Sequence, residues 1–314
     1  MKRLYVLIVL IYISSACFAQ DADAKAKTDL MIIPQLSYEY LNLTEQQFHA
    51  PEEGLIFVHN DEEKLLLVQV SAKQYFMGQD NQAGHGGPYH DDTLMFVKKV
   101  KPHLFMALLD TGSNEPVYGG LRTFEVGLGY GYELIHNDHH SLTLGGALAV
   151  TDTGIEYGDG KTWPVMLYPV IQYEFESWFF DLKFEFITDP ELSFTLLPKE
   201  KIRFSAEFGI DEFEGWRDFL FDCTLWYRFF DEDSVRGDFA GLGLGIKNSS
   251  IGFDFGEKNK SYELQYYTAY GTLDLSFLQM IGGYVFEGME TFDENLRRNA
   301  GGGFFVSVQL MYAF

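Results

Sequence analysis

Between Trp178 and Thr188 the chain reads WFFDLKFEFIT, and apolar and charged residues change places at every step. Phe180, Leu182, Phe184 and Phe186 fall on one side of such a segment, and Asp181, Lys183 and Glu185 fall on the other. Successive side chains of a strand point to opposite faces, so this is the pattern of a strand with one apolar and one polar side. The same two-residue period covers Thr123–Leu134, Ser141–Val150, Lys201–Asp211, Asp218–Phe229 and Ser261–Tyr270. Period 3.6 is scarce. After the first twenty residues no apolar run reaches the roughly 18 residues that a membrane helix needs. The chain is read as all-β.

Strand length separates the two ways of using such strands. A sandwich builds on strands of about 5–6 residues, whereas these segments run to ten or more. Their apolar sides are also dense in rings, as in Phe219, Phe221, Cys223, Leu225, Tyr227 and Phe229, within a chain that is 17% aromatic. Short turns, such as His136-Asn137-Asp138 and Glu176-Ser177, mostly alternate with longer polar connections, such as Thr151–Thr162 and Gly288–Ala300. A transmembrane barrel has this rhythm, with short turns at one rim and longer loops at the other. The pattern predicts a transmembrane antiparallel up-and-down β-barrel of about 14 strands, within a range of 12–16. Strands are expected at 120–135, 140–151, 163–175, 178–188, 200–211, 217–230, 237–247, 250–257, 261–271, 273–287 and 301–314. Region 30–109 is open: 92–109 taken as one strand gives 14, and splitting it while counting 52–59 gives 16.

The first residues read as an export signal. Lys2 and Arg3 precede the apolar run Leu4–Ile13, and Cys17-Phe18-Ala19 offers a small-residue cleavage site. The expected organisation is a signal peptide at 1–19 and a single barrel domain at 20–314; acylation of Cys17 is the alternative processing. Cleavage leaves Cys223 as the one cysteine, so no intrachain disulfide forms. The whole chain carries a net charge of −23, and loss of Lys2 and Arg3 makes it more negative. Nucleic-acid binding needs a basic footprint, which this chain lacks.

The segment GGGFFVSVQLMYAF places Val308, Leu310, Tyr312 and Phe314 at every second position up to the final residue. It resembles the assembly signal of bacterial outer-membrane β-barrel proteins, in which the last strand alternates apolar residues and ends on phenylalanine. The resemblance implies residence in the bacterial outer membrane, with its lipid as surroundings, and insertion by the barrel-assembly machinery. It names an architecture rather than an activity. This strand is expected to close the ring by pairing with Met31–Asn42.

With the apolar sides outward, the polar sides line a lumen. The candidate lumen-lining residues are Glu125, Glu133, Glu174, Asp181, Lys183, Glu185, Lys201, Arg203, Glu207, Asp222, Arg228, Asp254 and Glu263, with Glu39, Lys73, Asp211 and Asp274 beside them. Acids outnumber bases, so an open lumen favours cations or neutral solutes. Lys183, Lys201 and Arg203 also stand where they could pair with Asp181, Glu185 and Glu207 and brace a filled interior. Gly127-Gly129-Gly131 and Gly241-Gly243-Gly245 fall on the lumen side, inside strand patterns, and do not form a nucleotide loop. His136, Asp138, His139 and His140 form one polar cluster, and His85, His90, Asp91 and Asp92 another; neither has a metal-ligand spacing. His140-Ser141 is the one His–Ser neighbour pair, and adjacent strand residues face opposite ways, so no nucleophile is expected there. The expected function is a porin-like channel or carrier for small solutes, without cofactor. The alternatives are a structural or ligand-binding barrel with a filled lumen and, third, a lipid-modifying enzyme.

Overall fold

The computed structural model describes residues 29–61, 64–78, 89–113, 123–157, 161–186, 190–210, 219–233, 239–254, 261–275, 277–292 and 296–312. The export signal, Cys17, His85, Asp211 and Phe314 lie outside them. The described residues form sixteen strands: Asp29–Leu43 (β1), Gln47–Asp61 (β2), Lys64–Met77 (β3), Tyr89–Val100 (β4), His103–Ser113 (β5), Thr123–His136 (β6), His140–Tyr157 (β7), Lys161–Phe175 (β8), Phe180–Phe186 (β9), Pro190–Leu196 (β10), Ile202–Ile210 (β11), Phe219–Asp233 (β12), Phe239–Asp254 (β13), Ser261–Leu275 (β14), Leu278–Phe292 (β15) and Leu296–Met311 (β16). Each pairs antiparallel with its chain neighbours. β16 returns to β1 with Gln35–Leu43 against Gly303–Met311, which closes the ring.

Sixteen is the upper end of the expected range, and both extra strands lie before residue 110. Lys101-Pro102 turns the chain within 92–109, and Gln47–Asp61 is a full strand. Elsewhere the number of strands agrees but two boundaries move. Asn248-Ser249 does not turn the chain. The Asn248 amide donates to the Phe219 carbonyl and accepts from the Phe221 N–H, which ties β13 to β12 and lets it run on to Asp254. Gly271-Thr272 is likewise inside β14, which runs to Leu275 before β15 starts at Leu278. The missing strand is β10, where proline and only seven residues read as a loop. Leu192, Phe194 and Leu196 nevertheless continue the outward apolar row of β9.

The tight turns carry their own chemistry. Asn137 Oδ1 accepts from the N–H groups of His139 and His140 at 3.0 and 2.9 Å. Ser177 Oγ accepts from the Phe180 N–H at 3.0 Å, and Asp181 accepts from the Ser177 N–H at 3.1 Å. Short polar side chains that bond the backbone locally hold such turns without help from the rest of the fold.

The outer surface is an apolar belt. Leu128, Leu148, Leu167, Leu225, Leu244 and Ile246 are all exposed. Rings bracket it: Phe175, Trp178, Tyr227, Phe229 and Tyr312 near the rim where β1 begins and β16 ends, and Tyr40, Phe76, Phe124, Tyr267 and Phe304 toward the other. An apolar band between aromatic girdles is how a barrel stands in lipid. Leu244 is 71% exposed in the middle of this band. Leu244→Arg is expected to cost about 2–4 kcal/mol, measured as a lower urea midpoint for the barrel folded in lipid vesicles.

Candidate functional site: the lumen wall

Outward residues are even-numbered on β1, β3, β4, β6 and β7 and odd-numbered on β5 and β8, as their exposure and cross-strand register require. The opposite phase builds the lumen wall, which has three kinds of surface.

From β8 to β12 the wall is polar. Lys183 pairs across to Glu174 on β8 and Ser193 on β10, and its Nζ lies 2.5 Å from Glu185. Glu185 also accepts from the Gln172 amide at 2.8 Å. Because β10 stands between β9 and β11, Lys183 and Arg203 are not on neighbouring strands, contrary to expectation. Arg203 instead lies over the Trp226 ring at 5.6 Å. Glu207 stands opposite Asp222 on β12. Lys201 sits exposed in the turn before β11, its carbonyl accepting from the Arg228 N–H at 2.7 Å, and Arg228 pairs with Gly241.

From β3 to β7 charges are mixed with apolar residues. Glu133 is 8% exposed and accepts from Lys99 Nζ at 2.9 Å and Ser141 Oγ at 3.3 Å, with His136 Nδ1 3.3 Å away. Glu125 pairs with Asp110 and Thr151, and Asp91 lies two ladder positions from that row. Lys73 reaches past β2 to Glu39 on β1 at 3.1 Å. Met95, Val97, Leu104, Met106 and Leu108 share this inner face, so the lumen is less polar here than the acidic composition implies.

From β13 to β4 the inner face holds a packed apolar cluster of Leu41, Leu43, Phe48, Tyr89, Tyr262, Leu264, Tyr266, Val285, Ala300 and Phe305. The Phe48 and Tyr262 rings lie 5.8 Å apart although three strands separate them on the ring. Their contact therefore spans a chord of the lumen. This arrangement overturns the expected direction of β14. Its apolar row, Tyr262, Leu264 and Tyr266, faces inward, because Ser249 and Ile251 on the unbroken β13 pair with Tyr266 and Leu264. Glu263 consequently shares the outer face with Gln265 and Tyr267, accepting from Gln265 Nε2 at 2.8 Å and Ser250 Oγ at 3.2 Å. Glu263 is therefore not on the lumen side. The Asp254 backbone pairs with Ser261 at the end of the ladder.

Several inward groups are absent from the residues expected by sequence. Lys247 pairs with Asp222 and places its Nζ over the rings of Phe305 and Tyr270, at 4.9 and 5.6 Å. The Tyr270 hydroxyl donates to Asp222, and Thr224 Oγ1 lies 2.5 Å from the same hydroxyl. Glu290 accepts from Arg298 Nη2 at 2.7 Å and from the Tyr262 hydroxyl at 2.9 Å. Lys247 was readable, since it continues the phase of Gly241, Gly243 and Gly245. The Glu290–Arg298 pair was not, because both fall in what reads as a polar loop.

The histidines of the 136–140 turn resolve into local bonds, and the second cluster includes His85, outside the described residues. His140 Nδ1 lies 3.0 Å from the Tyr173 hydroxyl and His139 Nδ1 lies 3.0 Å from the Glu176 carbonyl. Among the described residues no three His, Cys, Asp or Glu side chains meet as a metal-ion cage.

No protein-family model matches this chain, and no curated protein matches it. Among solved structures it is similar to CdiB from Acinetobacter baumannii, with 9% identity, a TM-score of 0.42 and 90% of the chain covered. The chain spans 60% of CdiB's length. It is also similar to the COG4313 outer membrane channel from Pseudomonas putida F1, with 10% identity and a TM-score of 0.36, covering 94% of this chain and 99% of that one. The translocator domain of autotransporter NalP from Neisseria meningitidis gives 8% identity and a TM-score of 0.30, covering 100% and 97%. At these values the barrel described above rests on its own strand pairing.

Proposed function

We propose that this protein is an outer-membrane channel that passes small solutes along its lumen. The observation that carries this reading is the uneven inner wall. A ring of sixteen strands is wide enough to leave an aqueous path unless side chains or loops fill it. Here the filling is one-sided: the aromatic cluster packs against β13–β4, whereas Gly127, Gly129, Gly145, Ala147, Ser193, Thr195 and Ser205 keep the facing wall low. Glu185, Glu207 and Asp222 border that low side, which favours cations over anions. Location in the outer membrane is supported by the apolar belt with its two girdles and by the closing strand's resemblance to the assembly signal.

Planar bilayers test the reading directly. Refolded protein is expected to give discrete ion steps with a reversal potential shifted toward the cation. Bilayers that stay silent with heat-modifiable, folded protein sink it. The second reading, a barrel whose filled lumen holds a ligand or braces the wall, is favoured by the Phe48–Tyr262 contact across the interior. It predicts silence in the same bilayers.

A further inference from the structure

We propose that the wall carries a lateral portal between β8 and the β9–β10 hairpin, through which small apolar or amphiphilic molecules move between the lumen and the bilayer. This rests on the channel reading and names its substrate class.

The portal follows from strand lengths. β9 and β10 have seven residues each, whereas β8 and β12 have fifteen. With about 3.4 Å per residue and a tilt of roughly 40°, seven residues climb roughly 18 Å, short of the ~25 Å apolar band. The register fixes where the wall is low. Phe175 pairs with Leu182 and Ile171 with Phe186, so the hairpin is flush with its neighbours at the rim of the tight turns. Continuing that register sets Leu167 opposite position 190, but there the chain has already turned back as β10, with Pro190 paired to Phe186. Among the described residues, 161–167 have a strand partner on the β7 side alone.

Two further observations agree. Pro164 lies in this stretch and Pro169 just below it, and proline in a sheet belongs to edges, strand starts and bulges. Leu167 is 80% exposed on the outer face of this stretch.

The surfaces on both sides of this edge suit an apolar cargo. Outside, a groove of about 350 Å³ between Leu128, Leu148 and Leu167 reaches Tyr168 on the edge strand. Inside, Met106 and Leu108 on β5, Gly127 on β6, Ala147 on β7 and Met166 on β8 form an apolar track that ends at the same edge, where the Tyr168 hydroxyl donates to Met166 Sδ at 3.1 Å. Among the described residues the 161–167 backbone has no ladder toward the hairpin, and its groups on that side can bond a small polar head, such as a hydroxyl or carboxyl, while its chain stays on the apolar track. A hydrated ion gains nothing on this path.

The test is photolabelling in phosphatidylcholine vesicles with a medium-chain fatty acid that bears a terminal diazirine. Mass mapping is expected to find adducts on inward Met166 and Leu108 as well as on outward Leu148 and Leu167. In Gly127→Leu, whose new Cβ meets nothing nearer than Leu108 Cβ at 3.7 Å, the inward adducts should be lost while the outward adducts persist. Ala147→Val serves the same purpose if that variant gives no heat-modifiable band. Adducts confined to outward residues in an ion-conducting barrel overturn the portal and leave the channel standing. Silent bilayers without inward adducts remove both.

Discussion

Gly303→Val is expected to stop the ring from closing. Gly303 faces the lumen on β16, paired with Leu43 of β1 and Val285 of β15. A Cβ at this position would run into the Asn42 carbonyl oxygen and lie 2.9 Å from the Leu43 Cα. Both are backbone atoms, so no rotamer change relieves the clash; the strands must part. An open seam leaves two rows of unsatisfied N–H and C=O groups in hydrocarbon, at several kcal/mol for each unsatisfied group. That exceeds the net stability of about 5–15 kcal/mol typical of a folded domain. The expected result is loss of the heat-modifiable band on gels and rapid proteolysis in detergent. Gly282→Val is the control, because its Cβ meets nothing within 4 Å and faces the belt. It should keep the band.

Arg298→Ala is expected to cost about 3–5 kcal/mol. Glu290 is fully buried, and the Arg298 guanidinium donates to it through Nε at 2.9 Å and Nη2 at 2.7 Å. Removing the guanidinium leaves a carboxylate that cannot regain water where it stands. The cost is set less by the lost attraction than by the stranded charge. Changing both partners to methionine should therefore restore most of the stability, since an apolar pair of similar volume carries no desolvation penalty. Urea unfolding in lipid vesicles distinguishes the two variants. A double variant as unstable as Arg298→Ala would show that packing around the pair, and not its charge, is what matters.

Much of this architecture was legible because the period-two pattern reports the face of a strand directly. The outward rows of β6, β9, β11 and β12 are those expected from their sequences. The inward placement of Glu125, Glu133, Lys183, Glu207 and Asp222 follows from the same alternation. The pattern fails where a strand is apolar on the lumen side. Tyr262, Leu264 and Tyr266 look like a lipid-facing row, and only their pairing with Ser249 and Ile251 turns them inward. Alternation separates two faces but does not say which faces lipid, and a misplaced turn at Asn248 was enough to put Glu263 on the wrong one. Contacts such as Phe48 with Tyr262 depend on curvature that no single strand encodes. β10 was lost for a simpler reason: at seven residues it falls below the 9–11 expected of a full crossing, which is the property that makes its neighbourhood distinctive.

The ring closure has a kinetic consequence. Fifteen of the sixteen ladders join strands that follow one another in the chain, and hairpins of that kind form in microseconds. The remaining ladder joins Gln35 to Met311. Its loop entropy must be met before any of its bonds reward it, so contact order in this protein is concentrated in one step. Until that step, the growing sheet presents two competent edges, and another copy's edge can occupy either. The competition between intramolecular closure and intermolecular pairing depends on concentration, so dilution should raise the yield of monomeric barrel on refolding even where the stability of the closed form is unchanged.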